Sequence, residues 1–425
     1  MRLLHLVHQY PPHYIGGTEL YTQTLARYQA LLGYSVVVFC PFPQSGSDRN
    51  AEFNVEQDVR IYRVPLEPRS RTQVFRDSFR QQRLKRALED VLEKEEPDIV
   101  HIQHLMGMPM GLVDMVTDAG IPFVVTLHDY WYVCANAQLL TNTEQAICDG
   151  PDRFFANCAQ CAFARSGRSD ASWLAPSITP LMYYRNSRLR NILERAVRII
   201  APTQFVHRTY SELGTPTGKL LTVRHGLDLP QEKIYAARKI HTNRLRDTRL
   251  HIGYIGGISG QKGIHVLIEA VNRLPADQVL LTIYGDLSAF PEYVYHLRQI
   301  IKHPDITLAG PVSHDQIWMT LANFDVVVLP TLWYETSSLI LDEAFAVGVP
   351  VIASRIGVMV EKIEEEVNGR LFPLGDVTAL GQILLELIKN PDTLIHWKTG
   401  IPPVRSIAEH VRDIDAVYRE AIVAI

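Results

Sequence analysis

A rhythm of short apolar runs and longer amphipathic stretches, which occurs twice along the chain, is the strongest constraint on its fold. The apolar runs are rich in β-branched residues and end at turn residues, as buried strands do. Because alternating strands and helices require crossover connections, each set should form a doubly wound parallel α/β sheet. The predicted strands are 2–7, 35–40, 59–64, 98–102, 121–127, 197–201 and 220–224, and in the second set 250–255, 279–284, 305–308, 325–329, 350–353 and 368–372.

Two domains are expected, because a chain of 425 residues exceeds what one hydrophobic core usually supports. The N-terminal domain is predicted at 1–228 and the C-terminal domain at 229–403, since Gly226 allows a turn and the polar stretch 231–249 follows as a hinge. Apolar residues at helical spacing in 404–425 predict a final helix that docks on one of the domains. Spacing alone does not tell which domain receives it.

Composition and charge exclude several classes of function. Hydrophobic residues make up 47% and charged residues 21%, as in ordinary globular proteins. The net charge of -4 gives no general attraction for nucleic acid. No apolar run reaches the roughly 18 to 20 residues that span a bilayer, and Met1 leads directly into the first strand without a signal-peptide pattern. The sequence predicts a cytoplasmic protein that does not bind nucleic acid.

In the first half of the chain, candidate binding residues stand where predicted strands end. Gly16 and Gly17 separate the first strand from a helix, whose free N–H groups and positive end suit a phosphate or a sugar oxygen. His128 follows the fifth strand, at the edge where open α/β sheets bind ligands, and can donate to a sugar. A tight strand-to-helix turn and a loop histidine paired with Asp129 explain the same residues equally well.

In the second half, Gly256 and Gly257 follow the first strand, and Lys262 stands just before the next helix. A lysine at such a turn can neutralise a diphosphate that also rests on the helix N-terminus. The segment is neither a P-loop nor a G-x-G-x-x-G pattern, and a solvated lysine in the first helical turn is the alternative.

The most informative segment contains two glutamates separated by seven residues. Glu335 lies in the loop after strand 325–329, and Glu343 lies inside the following helix, among apolar neighbours that argue against a solvated side chain. The first carboxylate can hold sugar hydroxyls near the reacting carbon, and the second can accept both hydroxyls of a ribose. Further donors to a phosphate are predicted in the backbone N–H groups of Thr336, Ser337, Ser338 and Leu339.

Taken in order, these motifs resemble those of the retaining glycosyltransferases of family 4, which have the GT-B fold. The resemblance covers nearly the whole chain and is to a subgroup with a cysteine-containing insertion in the N-terminal domain. It implies two Rossmann-like domains facing across a cleft, the first on the acceptor side and the second binding a nucleotide sugar. It rests on Gly16-Gly17, Asp98-Ile-Val-His101, His128, Gly256-Gly257, Lys262-Gly263, Glu335, Glu343, Gly348-Val-Pro350, Gly357 to Glu361 and Val367-Asn-Gly369 through Asp376.

The resemblance also implies a role for each candidate residue. Lys262 binds the donor diphosphate, Glu343 holds the ribose, and Glu335 and His128 contact the transferred sugar. The loop at Gly16-Gly17 closes over donor and acceptor. The donor is a UDP- or GDP-linked sugar, and the acceptor is a glycan or a lipid-linked glycan. Retention follows from front-face attack, and catalysis needs no cofactor or metal, which agrees with the lack of a strand-end carboxylate cluster.

One position departs from the family pattern. The family usually carries an arginine beside the phosphate-binding lysine, and this chain has Gly257 there. Stabilisation of the leaving group then depends on Lys262, on the loop N–H groups or on another cation such as Arg355. Two alternatives therefore remain open: a non-catalytic partner subunit that binds sugar nucleotides, and another enzyme on this architecture, such as a sugar-nucleotide epimerase or a phosphorylase.

A polar insertion at about 132–175 contains four of the five cysteines. One C-x2-C pair and a reducing compartment favour a structural zinc over disulfides. Free thiols and an iron-sulfur cluster are alternatives, because the two upstream cysteines do not form a second such pair. The insertion would shape acceptor recognition rather than chemistry. The candidate metal ligands are Cys134, Cys148, Cys158 and Cys161.

Residues 69–86 carry seven basic side chains against one aspartate. A basic helix with Phe75 and Phe79 can contact anionic lipid near a lipid-linked acceptor, at the inner face of the membrane. A solvated helix face is the alternative, since acidic residues follow from Glu89 onward.

Overall fold

The computed structural model describes residues 1–45, 51–165, 173–244 and 249–423. The chain divides into two compact units: an N-terminal unit of residues 1–226 with 407–425, and a C-terminal unit of residues 227–406. Each unit has its own central sheet, with helices packed on it. None of the helices in the described part of the chain is long and apolar enough to cross a membrane.

The sheet of the N-terminal unit contains all seven strands that the sequence predicted, and one more at its edge. The strands are β1 (Arg2–Leu6), β2 (Ser35–Pro43), β3 (Glu52–Glu56), β4 (Val59–Leu66), β5 (Ile99–Ile102), β6 (Phe123–Thr126), β7 (Arg198–Ala201) and β8 (Leu220–Thr222). Their order is β3-β4-β2-β1-β5-β6-β7-β8. Among the described strands of this sheet, only β3 pairs antiparallel. Its side chains are mostly exposed, so it has no apolar run by which the sequence could predict it.

Helices cover both faces of this sheet, which is why β5 and β6 are buried at every position. These helices are α1 (Gly17–Leu31), α2 (Arg71–Asp77), α3 (Gln82–Glu95), α4 (Leu112–Asp118), α5 (Ala156–Arg165), α6 (Ala175–Arg195) and α7 (Gln204–Glu212).

The C-terminal unit has an entirely parallel sheet. Its strands are β9 (Leu250–Ile255), β10 (Val279–Tyr284), β11 (Ile306–Gly310), β12 (Val326–Leu329), β13 (Val351–Ser354) and β14 (Gly369–Phe372). The order β11-β10-β9-β12-β13-β14 places the first strand in the middle, so the chain winds outward in one direction from β9 and in the other from β12. This is the doubly wound arrangement that the sequence predicted.

Helices of the C-terminal unit include one in a place where the sequence predicted a hinge. The helices are α8 (Gln231–Arg244), α9 (Ile264–Val271), α10 (Pro291–Ile300), α11 (Ile317–Leu321), α12 (Leu339–Val347), α13 (Val358–Lys362), α14 (Val377–Lys389) and α15 (Asp392–Thr399). The sequence describes the stretch 231–249 as polar, but buried Ile234 and Ala237 dock α8 on the core, and residues 245–248 lie outside the described residues. The hinge at the domain boundary stays a prediction.

The last helix, α16 (Ile407–Val423), belongs to the N-terminal unit. Val411, Ile414 and Tyr418 are buried in one core cluster with apolar residues of α1 and of the sheet. Val404, which the sequence placed in the same helix, lies before it and packs on the core of the C-terminal unit. Of the predicted helix, residues 424–425 lie outside the described residues.

Candidate functional site

Two predicted site loops meet at the point where the chain reverses its winding in the C-terminal unit. Strands β9 and β12 are neighbours, and the loops that follow them leave the same edge of the sheet. The loop after β9 carries Lys262, and the loop after β12 carries Glu335. Open α/β sheets bind ligands outside the carboxyl ends of strands at such a point.

Lys262 and Glu335 form an ion pair, in which Nζ donates to Oε1 over 2.6 Å. The same oxygen accepts from Trp333 Nε1 at 3.1 Å and from Thr331 Oγ1 at 3.3 Å. The ammonium also lies 5.4 Å from the centre of the Trp333 ring. Three donors on one oxygen fix the carboxylate, and both charged side chains keep part of their surface accessible.

The backbone around Gly263 brings these two loops together. Gly263 has φ 68°, and a Cβ there would lie 1.9 Å from the carbonyl oxygen of Pro330. The Leu332 N–H donates to the Gln261 carbonyl over 2.8 Å. Glycine alone permits both this φ and this contact, so the residue after Lys262 sets the approach of its loop to the loop after β12.

Glu343 is buried in helix α12, and its carboxylate faces a histidine. Nε2 of His314 lies 3.7 Å from its Oε1. Burial raises the pKa of Glu343, and the interaction with His314 lowers it. Glu343 in turn raises the pKa of His314. An ionised carboxylate has room for about four hydrogen bonds, so Glu343 can accept two ribose hydroxyls beside this partner.

The turn into α12 contains Ser338, which has the left-handed φ of 55°. Lys362 donates to the Ser337 carbonyl over 2.5 Å and to Asp342 Oδ2 over 2.6 Å. Because the C=O and N–H of a trans peptide point in opposite directions, the first bond turns the N–H of Ser338 away from Lys362. A lysine that the sequence analysis did not single out therefore orients one of the predicted phosphate donors.

Gly257, the position at which the family usually carries an arginine, has free space around it. A Cβ on Gly257 would meet no atom within 4 Å, and its φ is not positive. Arg355, named from the sequence as a substitute cation, pairs with Glu365 over 2.7 Å. Both side chains of this pair are exposed, so the pairing leaves Arg355 available as the predicted substitute cation.

In the N-terminal unit, Gly16 is the N-cap of α1 and the helix begins at Gly17. A Cβ on Gly16 would lie 2.5 Å from Oε2 of Glu19, whereas a Cβ on Gly17 would meet no atom. Glu19 is buried, with Oε1 3.7 Å from Nε2 of His8. Burial raises the pKa of Glu19. The absence of a side chain at Gly16 therefore leaves room for the buried carboxylate of Glu19, which also lies near the positive end of α1.

His128 lies at the end of a buried chain of hydrogen bonds. Its Nε2 donates to Gln103 Oε1 over 2.8 Å, and Gln103 Nε2 donates to His5 Nδ1 over 3.1 Å. Nε2 of His5 then donates to Gln29 Oε1 over 2.7 Å. The amide orientations require a proton on Nε2 of both histidines.

The same network continues to the last helix. Gln29 Nε2 donates to the Tyr418 hydroxyl over 3.1 Å, and this hydroxyl is hydrogen-bonded to His101 Nδ1 over 2.6 Å. Burial lowers the pKa of His5 to about 4 and the pKa of His128 to about 3. Burial lowers the pKa of His101 as well. These histidines are therefore neutral near pH 7.

Asp129 pairs with His104, whereas the sequence analysis considered a pair with His128. Its Oδ2 lies 2.9 Å from Nε2 of His104, and its Oδ1 accepts from the Trp131 N–H over 2.8 Å. Nε2 of His128 is bonded to Gln103 instead.

Comparison with known proteins identifies the family. HepE of Anabaena, solved in complex with UDP and glucose, superposes with a TM-score of 0.67 at 18% identity, over 98% of this chain and 99% of that chain. The family described as "Glycosyl transferase 4-like domain" matches residues 16–226, and the family described as "Glycosyl transferases group 1" matches residues 249–390. The chain belongs to the GT-B glycosyltransferases.

Curated relatives of this transferase are distant in sequence. Glycogen synthase of Mycobacterium tuberculosis is 24% identical over 413 residues, which cover 92% of the transferase and 87% of the relative. An uncharacterized protein from the cps region of Klebsiella pneumoniae is 24% identical over 187 residues, and the transferase spans half of that protein's length. The predicted GT-B fold class is confirmed.

The predicted zinc ligands of the transferase are free thiols. Among the residues with described structure, no group of three or more His, Cys, Asp or Glu side chains has the arrangement to hold a metal ion. Cys148 donates its thiol proton to the Gly150 carbonyl, and burial raises the pKa of Cys158 to about 12. Nearby Cys134, Cys148 and Cys161 also raise the pKa of Cys158. Because a bound zinc would lower the pKa of its thiol ligands, these values do not test the zinc site, which stays a prediction. The free thiols are Cys134, Cys148, Cys158 and Cys161.

The basic segment 69–86 of the transferase is not one helix. It is split between α2 and α3, and Arg69 is held by Asp77 and by the Gly107 carbonyl. Phe75 and Phe79 contact each other edge to face, and Phe79 stacks on Tyr184 at 6.0 Å. The two phenylalanines are half-buried, and Tyr184 is exposed, so this aromatic group lies at the surface.

Proposed function

We propose that the protein is a retaining, metal-independent glycosyltransferase that moves a sugar from a UDP- or GDP-linked donor to an acceptor hydroxyl in the synthesis of a polysaccharide or glycoconjugate. The observation that carries this proposal is the meeting of Lys262 and Glu335 where β9 and β12 diverge. One loop supplies a cation for a diphosphate, and the other supplies a carboxylate for sugar hydroxyls. The structure of HepE with UDP and glucose supports the same class of donor.

Lys262 would bind the diphosphate with the hydrogens that Glu335 does not occupy. An ammonium has three donors, and one of them is directed at Glu335. As the bond to the sugar breaks, negative charge grows on the β-phosphate, and a fixed ammonium stabilises it without reorganisation. The N–H groups at the start of α12 would add donors on the same phosphate. This arrangement requires no metal.

Glu335 would face the sugar while Glu343 holds the ribose. Oε1 of Glu335 is occupied by three donors, which leaves Oε2 to accept from sugar hydroxyls. We place His128 at the transferred sugar as well, as the resemblance implies. Attack of the acceptor on the face that the diphosphate leaves, with the phosphate taking the acceptor proton, would retain anomeric configuration and needs no side-chain base.

The proposal is tested with UDP, GDP, UDP-glucose and GDP-mannose. Thermal shift and calorimetry measure binding of each compound, and release of nucleoside diphosphate measures turnover. We expect Lys262→Ala and Glu343→Ala each to weaken binding of the nucleotide about 10- to 100-fold, the usual effect of one charged hydrogen bond. Lys233→Ala is the matched control, because that lysine forms an exposed ion pair with Asp315 in the same unit. Nucleotide binding that is equally strong in all four proteins would refute the site.

Product analysis tests the reaction itself. A new glycoside with the donor's anomeric configuration, formed equally with and without EDTA, supports retention without a metal. An inverted product or loss of activity with EDTA contradicts those parts of the proposal. An epimer of the donor, or a sugar phosphate, would identify one of the other enzyme classes.

The open space at Gly257 favours one second candidate, a subunit that binds sugar nucleotides without turnover. In that case donors stabilise the protein, but neither glycoside nor free nucleoside diphosphate appears with any acceptor. If Gly257→Arg then restored turnover, the lack of activity would be due to the missing arginine at this position.

We also propose that the acceptor is a glycan or a lipid-linked glycan and that the enzyme works in the cytoplasm, in peripheral contact with an anionic membrane. Cosedimentation with vesicles of neutral phospholipid, with and without anionic lipid, tests the contact. Binding that does not depend on anionic lipid would contradict it.

A further inference from the structure

The N-terminal unit contains a cavity of about 260 Å³, and none of the residues that we assign to the donor or to the transferred sugar lines it. It lies beyond the carboxyl ends of β1, β2 and β4, and the segment that begins α2 and the end of α5 close its sides. Ligand pockets for drug-sized molecules begin at about 300 Å³, so this cavity suits one small unit rather than an oligosaccharide.

Cationic groups dominate the lining of this cavity. Arg69, Arg71 and Arg165 reach it, against one carboxylate, Glu67. Arg69 is neutralised by Asp77 over 3.3 Å and donates to the Gly107 carbonyl over 2.8 Å. The remaining two arginines and Glu67 therefore determine the charge that the cavity offers to a ligand, and this charge is positive.

Arg71 and Arg165 lie close to each other without an acidic partner. Within the described ranges, Arg71 makes no hydrogen bond or ion pair, and Arg165 donates only to the Ala135 carbonyl, over 3.2 Å. Burial, and then the neighbouring Arg71, lower the pKa of Arg165. Arg71 is exposed and Arg165 is half-buried. Two guanidinium groups that repel each other are stabilised by an anion bound between them.

His8 provides an independent indication of a polar ligand. It lines the cavity, is 9% exposed, and its Nδ1 has no hydrogen-bond partner among the described residues. Burial, and then His104, His128 and Arg69, lower its pKa, so the ring is neutral. A buried polar atom without a partner costs free energy unless a ligand or water completes it.

The geometry points to a binding site for the acceptor in this cavity, at which Arg71 and Arg165 hold an acidic group of the acceptor sugar, a carboxylate or a phosphate. This inference rests on the proposed glycosyl transfer and adds the chemical class of the acceptor. An acidic sugar would be recognised through two guanidinium forks, and a neutral sugar would leave both charges unpaired.

The experiment compares four small probes by calorimetry: methyl glucuronide, mannose 6-phosphate, inorganic phosphate and the neutral control methyl glucoside. We expect an acidic sugar to bind at least about tenfold more tightly than the neutral one, the effect of one charged hydrogen bond, and to weaken as salt is raised. The tighter of the two acidic sugars identifies carboxylate or phosphate as the group. Inorganic phosphate that binds as tightly as both acidic sugars would overturn the assignment to a sugar.

Arg71→Gln and Arg165→Gln should each remove this preference, whereas the matched control Arg76→Gln, an exposed residue of the same helix as Arg71, should not. Arg165→Lys keeps the charge and guards against a loss of folding at the more buried position. Equal affinity for acidic and neutral sugars, or unchanged binding in both glutamine variants, would refute the site.

Binding of UDP and GDP is measured on the same samples to separate this inference from the proposed function. If UDP or GDP binds and the acidic sugars do not, only the acceptor assignment is refuted. If neither nucleotide nor sugar binds, the proposed transfer is refuted with it.

Discussion

Gly263 shows how one residue sets the geometry of the donor loops. Replacement by alanine requires both a left-handed φ and a Cβ placed 1.9 Å from the Pro330 oxygen. We expect Gly263→Ala to lower the free energy of unfolding by more than about 2 kcal/mol and to weaken nucleotide binding. Thermal and urea unfolding measure the first effect, and calorimetry with UDP and GDP the second.

The control for this prediction stands in the same turn. A Cβ on Gly260 meets no atom within 4 Å and its φ is not positive, so Gly260→Ala should change stability by less than about 1 kcal/mol. If the two variants unfold alike, the contact with Pro330 does not constrain the loop.

Gly257 offers the opposite kind of test, a gain of function. Because a side chain at this position has open space, we expect Gly257→Arg to fold normally and to tighten binding of a nucleoside diphosphate about tenfold, by adding a charged hydrogen bond. Gly260→Arg adds the same charge three residues farther on and is the control. Equal tightening in both variants, measured by calorimetry, would indicate a general effect of charge rather than a specific phosphate contact.

Among the elements, the buried histidine network gives a signed dependence of stability on pH. His5 and His128 have a pKa near 6.5 when unfolded, and in the folded protein burial lowers these values to about 4 and about 3. Below pH 6.5 the unfolded state therefore binds more protons. We expect stability to fall as pH drops from about 6.5 towards 4, by up to about 1.4 kcal/mol per pH unit for each histidine.

Urea unfolding between pH 7.5 and 4.5 measures this loss, and histidine ring NMR signals assign it. His5 and His128 should keep neutral-ring shifts at pH 5.5, whereas His314, whose pKa Glu343 raises, should titrate above 6.5. Protonation of His5 or His128 near pH 6.5 would show that the network is not closed to water.

Helix α16 contributes a hydroxyl to the same network, and this makes a second element-scale prediction. Tyr418→Phe leaves Nδ1 of His101 without its hydrogen-bond partner and the Gln29 amide without its acceptor. We expect a loss of about 1–3 kcal/mol, since both groups are buried. Tyr183→Phe, at an exposed position of α6, should be neutral. Equal unfolding curves would show that the hydroxyl bonds do not contribute to stability.

For the whole molecule, the division of the chain predicts unequal behaviour of its parts. Residues 227–406 have their own sheet and core, so this fragment should fold alone and bind the nucleotide. Residues 1–226 lack α16, whose buried side chains complete their core, and should remain soluble and cooperative only when 407–425 are supplied. Circular dichroism and urea unfolding of both fragments check this, and a cooperative 1–226 fragment would contradict it.

Much of the fold follows from local patterns. Strands buried on both faces read as apolar runs, so the sequence predicted all strands of the two sheets except β3, whose side chains stay in water. The loops at Lys262 and Glu335 were also predictable, because parallel strands end at the same edge and the residues after β9 and β12 must meet there. Lys362, which bonds the loop before α12, and His314, which faces Glu343, come from other segments of the chain, so the sequence did not single them out.

By itself, then, the sequence determined the doubly wound sheets, the strand-end loops and the glycine turns, because each depends on neighbours within a few positions of the chain. Only the tertiary structure decided which unit receives α16, how Gln103 links His128 to His5, and that Arg71 and Arg165 share one cavity. Each of these depends on side chains brought together from distant parts of the chain. Periodicity reports whether a side chain is buried, whereas packing alone selects its partner.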